Sequence, residues 1–151
     1  MLLAEVLETS EVPFVCSLKD SSKVHFPNGF LDRTTPQGLV IPWTPQFTVL
    51  AHTAIGVFTT HCGWNSLIES IAGGVPLIGR PFFGRQTLNG RMLENVWGIG
   101  LQVESGVFTM HGVLNSLDKV ISQDGGENEG EHKVTSTTRK QRYWTQRDLC
   151  G

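Results

Sequence analysis

The sequence predicts an α/β domain of the doubly wound class, and three observations predict it. Short apolar runs recur at residues 12–16, 38–42, 55–60, 75–78 and 99–103, bounded mostly by Gly, Pro or polar residues. Stretches with apolar residues at helical spacing separate them. Continuous apolar runs mark strands buried on both faces, and strands alternating with helices pair in parallel through right-handed crossovers. The 151 residues, 39% hydrophobic and 17% charged, suit one domain with a core of its own.

Each element carries its own signal. Leu2, Leu3, Val6 and Leu7 predict a helix over 2–9 that Pro13 closes, and the run 12–16 follows as a strand. Residues 19–38 are polar and hold Pro27, Gly29, Pro36 and Gly38, so a loop is expected there. A strand over 38–42 lies between breakers, and Pro45 opens a helix over 45–51, where its missing N–H costs nothing. Strand 55–60 leads to helix 66–72, which runs into Gly73-Gly74 and strand 75–78. Helix 86–96, strand 99–103 and helix 109–122 complete the pattern, the last carrying Val113, Leu114, Leu117, Val120 and Ile121. From Glu127 to Gly151 nine of twenty-five residues are charged and the few apolar ones have no period. Such a segment buries too little surface to offset its ordering entropy, so a disordered tail is expected over 124–151.

Composition removes several function classes. A net charge of −2 and a pI near 6.2 argue against nucleic-acid binding, which normally shows a basic excess. Cys16, Cys62 and Cys150 are too few and too scattered for a disulfide framework, and no pair has zinc-site spacing. No apolar run approaches the ~20 residues of a membrane span, and Glu5 and Glu8 interrupt any signal-peptide core. A soluble, cytoplasmic protein without a metal is expected. Dinucleotide, P-loop and G-x-S-x-G patterns do not occur. Cys62 has no identifiable partner base and reads as a buried, inert thiol.

Ligands in doubly wound sheets sit beyond the carboxyl ends of the strands, so the strand-to-helix junctions hold the candidate site. At His61-Cys62-Gly63-Trp64-Asn65-Ser66 a strand ends, glycine permits close approach, and a helix opens with unpaired N–H groups suited to a phosphate. Ser66-x-x-Glu69 also fits a capping box that satisfies only the helix terminus. At Pro42-Trp43-Thr44-Pro45-Gln46 two prolines stiffen a Trp that could stack on a planar base or fill a core gap. At Arg80-Pro81-Phe82-Phe83-Gly84-Arg85-Gln86 polar groups could face the same crevice, or the loop could lie over a tucked Phe pair.

These pieces stand in order within 44 residues, from Trp43 to Gln86. Trp43-x-Pro45-Gln46, then His61 to Ser66, then Glu69, then Pro81-Phe82-Phe83-x-x-Gln86 resembles the C-terminal signature of plant family-1 UDP-sugar glycosyltransferases. Residues 24–30 and 88–92 resemble its flavonoid or anthocyanidin 3-O-glycosyltransferase branch. The similarity covers about residues 2–123, which implies a partial UDP-sugar-binding domain over 1–123, Rossmann-like, as in the C-terminal half of a GT-B enzyme.

The resemblance implies that Trp43 stacks on uracil, that the Thr44 backbone bonds its edge, and that Gln46 and Glu69 hold the ribose hydroxyls. It implies that His61, Gly63, Asn65 and Ser66 bind the diphosphate, and that Trp64 and Gln86 line the sugar, glucose in members with Gln at that position. The implied reaction is transfer of a sugar from UDP-sugar to a flavonoid-type hydroxyl with inversion, with UDP-sugar as co-substrate and no cofactor or metal. The family's catalytic base and acceptor pocket lie in an N-terminal domain. No catalytic residue is therefore expected among these 151 residues, and the chain looks like a truncated fragment. The rival expectation is an inactive product that binds UDP at most. One departure stands out: the family has an acidic residue before the final Gln, whereas Arg85 can only donate hydrogen bonds.

Overall fold

A computed structural model describes residues 3–103, 111–112, 115–116 and 119, together with the backbone of 142–145. Helix α1 (Leu3–Ser10) forms because Leu3, Ala4, Val6 and Leu7 fall on one face, and all four are buried. It ends as Glu11 takes a positive φ of 54°. Strands β1 (Phe14–Ser17) and β2 (Gly38–Ile41) pair in parallel, Phe14 opposite Gly38. Between them lies the first departure from the expected loop: a 3-10 turn (Asp20–His25) and helix α2 (Phe30–Thr34). Their cause is aromatic packing, since buried Phe30 stacks on Phe26 with centroids 4.5 Å apart. Arg33 also pairs with Glu8 and so ties α2 to α1; that hydrogen bond holds the Glu8 carboxyl below its ordinary range.

The chain continues through α3 (Gln46–Leu50), β3 (Ile55–Thr60), α4 (Trp64–Gly73), β4 (Leu77–Gly79), α5 (Arg85–Arg91) with a π-helical turn (Met92–Val96), and β5 (Gly100–Gln102). Residues 111, 112, 115, 116 and 119 are helical, within the expected 109–122 span. All strand pairs are parallel, and the sheet order is β2-β1-β6-β3-β4-β5, with β6 at Arg142–Thr145. Cores lie on both faces of the sheet. Val57 and Ile78 join α1 and α2 residues in one, while Phe58, Leu67, Leu77 and Leu93 make the other with α3 and α4. Alternation along β3 and β4 therefore sends neighbouring side chains into opposite cores.

Strand β6 corrects the expectation of a disordered tail at four residues; the rest of 124–151 lies outside the described residues. Tyr143 pairs with Phe14 and Val57, and Trp144 with Val15 and Phe58. The physical reason is backbone, not apolar period. The slot between β1 and β3 exposes two rows of ladder groups that only an extended strand satisfies, and Tyr, Trp and Thr favour that conformation. Cys16, fully buried in β1, is disulfide-bonded, where no disulfide framework was expected. Among the described residues no helix is long and apolar enough to cross a membrane.

Replacing Trp144 with proline removes a ladder donor in mid-sheet and orphans its partner carbonyl. The expected loss is about 1–3 kcal/mol, read as a lower urea midpoint. An unchanged midpoint would mean that β6 does not join the two sides of the sheet.

Candidate functional site

Three loops leave the carboxyl edge of the sheet: 42–45 after β2, 61–63 after β3 and 80–84 after β4. Parallel strands place all three at one end. The second and third are joined at their roots, because the Arg80 N–H donates to the Thr60 carbonyl at 2.8 Å. Partial burial lowers the Arg80 pKa from its ordinary value, and the guanidinium lies over the Phe82 ring at 4.3 Å.

The β3–α4 junction decides between the two readings of Ser66. Helix α4 starts two residues earlier than expected, at Trp64, with Gly63 as its N-cap and no side-chain cap bond. Ser66 is thus the third helical residue, and the capping box falls away. The first turn holds no acidic residue that would compete for an anion at the helix terminus. A Cβ at residue 63 would lie 2.5 Å from His61 Nε2, so glycine is what lets the His61 ring fold back over the turn. Cys62 is buried at φ 65°, in a region that side chains avoid. Burial pushes its thiol up to about 12, which leaves almost no thiolate at neutral pH and rules it out as a nucleophile.

Gln46 reaches this junction from α3. Its Nε2 donates to Glu69 Oε2 at 2.7 Å and lies 3.4 Å from Ser66 Oγ. Residues 20 and 23 positions apart in the chain thus meet in one polar cluster. Trp43 is 66% exposed, so it fills no core gap and its face is available for stacking. Thr44 is half-buried and Asn65 exposed at the first turn of α4. Trp64 is exposed and leans on Trp97, ring centroids 6.1 Å apart. Phe82 and Phe83 are exposed rather than tucked beneath their loop. Gln86 Oε1 accepts the Phe82 N–H at 3.0 Å, which folds the third loop onto α5, and Arg85 opens that helix exposed to solvent. Sequence patterning gave no sign of Trp97 or of Asn89, whose Nδ2 donates to the Cys62 carbonyl at 2.9 Å.

The family model described as UDP-glucoronosyl and UDP-glucosyl transferase matches residues 1–129. The chain belongs to this family. It is 60% identical over 125 residues to anthocyanidin 3-O-glucosyltransferase 7 of Manihot esculenta, a match covering 83% of this chain and 44% of that protein. It is equally identical over 125 residues to the flavonol 3-O-glucosyltransferase of Arabidopsis thaliana, covering 83% of this chain and 27% of that one. The crystal structure of a UDP-glucose:anthocyanidin 3-O-glucosyltransferase in complex with UDP superposes with a TM-score of 0.75 at 47% identity, over 78% of this chain and 26% of that one. The fold is thus the Rossmann-like α/β fold of GT-B glycosyltransferases, and the chain spans less than half the length of these relatives.

Packing beneath this junction is tight enough to test. A Cβ at residue 79 would lie 2.6 Å from Cys62 Sγ. Gly79→Ala should destabilise by roughly 1–3 kcal/mol. Adding Cys62→Ala should make room, giving a favourable coupling of at least about 0.5 kcal/mol in a double-mutant cycle. Additive losses in denaturant melts would show that the two positions do not press on each other.

Proposed function

We propose that this chain binds the UDP-sugar donor of a UDP-dependent glycosyltransferase, which transfers the sugar to a flavonoid-type hydroxyl with inversion. The observation that carries the reading is the meeting of Gln46 with Ser66 and Glu69 on the first two turns of α4, three residues along the chain from an exposed Trp43. A nucleotide laid across this edge would stack its uracil on Trp43, with the Thr44 backbone at the base edge. Gln46 and Glu69 together offer donor and acceptor atoms to ribose hydroxyls. The N–H groups of the first turn, with the Asn65, Ser66 and His61 side chains, would hold the diphosphate, which gains negative charge as it leaves.

Trp64 and Gln86 would border the sugar, glucose in this reading. Arg85 adds a cation near the diphosphate and no acceptor for sugar hydroxyls. The similarity to anthocyanidin and flavonol 3-O-glucosyltransferases supports the acceptor class. Cytoplasmic residence and independence of any cofactor beyond the co-substrate belong to the same proposal.

Calorimetric titration with UDP tests the reading. The chain should bind UDP, and Trp43→Ala should weaken binding by about 1–3 kcal/mol, the usual worth of a base stacked on an aromatic ring. No binding by the folded chain, or equal binding by the variant, would overturn it.

A further inference from the structure

We infer that Asn89 is a positioning residue for the diphosphate loop: its side-chain amide, from the helix that carries Gln86, holds the backbone at Cys62 in its left-handed turn. The inference deepens the donor-site reading and rests on it for the ligand, but not for the contact itself.

A non-glycine residue in the left-handed region persists only where its surroundings over-determine it. Cys62 has φ 65°, and two restraints act on it. Its side chain is fully buried against Gly79, so the residue cannot swing outward. Its carbonyl accepts the Asn89 Nδ2 at 2.9 Å, across 27 residues of chain. That carbonyl belongs to the planar, trans peptide whose N–H is Gly63's, so fixing the C=O also fixes the Gly63 N–H on the opposite side. Gly63 is the N-cap of α4, and its own carbonyl accepts the Leu67 N–H at 3.1 Å, the bond that closes the first turn. Turning the Cys62–Gly63 peptide would therefore disturb the helix terminus and the glycine that His61 folds over.

Asn89 also stands one turn after Gln86 on α5, and Gln86 pins the third loop through the Phe82 N–H. One helix face thus sets two of the three loops. The two nearest replacements in shape do not do the same: leucine has no donor, and an aspartate carboxylate presents oxygen to oxygen.

The experiment compares wild type with Asn89→Leu and Asn89→Asp by two readouts. Without ligand, amide exchange at Leu67 should quicken roughly tenfold in both variants, while Phe58, whose N–H donates to the Pro76 carbonyl, keeps its rate. With ligand, UDP affinity should fall about tenfold while uridine affinity stays within twofold, because uridine does not use the loop. Unchanged exchange at Leu67, or equal losses for UDP and uridine, would overturn the assignment. A wild type that binds neither ligand would refute the donor-site reading alone, and exchange at Leu67 would still decide the role of Asn89.

Discussion

Burial of β3 on both faces is the constraint on which the rest of the structure depends. Residues 56–60 are all buried, with Val57 in one core and Phe58 in the other. A strand in that position has to pair on both edges, since any backbone group left open would be cut off from water. β4 takes one edge and β6 the other. The carboxyl end of the strand is its outlet toward the strand-to-helix junctions. There the chain leaves through His61, Cys62 and Gly63 into α4, and the polar groups of the site gather around that exit.

The exit is crowded, and crowding is what makes it specific. Cys62 fills the space that Gly79 leaves, and His61 fills the space that Gly63 leaves. Neither glycine is there for a free terminus or a flexible hinge; each makes room for a neighbouring side chain. With those contacts in place, the first turn of α4 begins at Trp64, and its N-cap Gly63 has no side chain to cap it. A helix terminus with glycine at its N-cap next to a Gln–Glu–Ser cluster is a poor solution for stability alone and a good one for an anionic ligand.

Much of this was legible in the sequence, for reasons that can be named. Strands buried on both faces leave continuous apolar runs, so 38–42, 55–60 and 99–103 lie within two residues of β2, β3 and β5. Trp43, Gln46, Ser66 and Glu69 could be singled out because they stand in one 44-residue box that resembles a family signature, although the start of α4 was misjudged by two residues. That small shift is what had kept a capping box open for Ser66 and Glu69. The 19–38 segment was misread because its helices are short and depend on Phe26 and Phe30 stacking rather than on periodicity. Strand β6 was misread because its order comes from ladder hydrogen bonds supplied by strands more than eighty residues away in sequence. Asn89 could not be read at all: one amide bonded to a distant backbone carbonyl leaves no pattern.

The central claim is that loops from three strand ends form one nucleotide site. Mapping backbone amide shifts during a UDP titration tests it most directly. The account requires the perturbed amides to cluster at residues 43–46, 61–66 and 80–86, moving together along a single binding curve. Shifts confined to one loop, or strongest away from the carboxyl edge of the sheet, would contradict it.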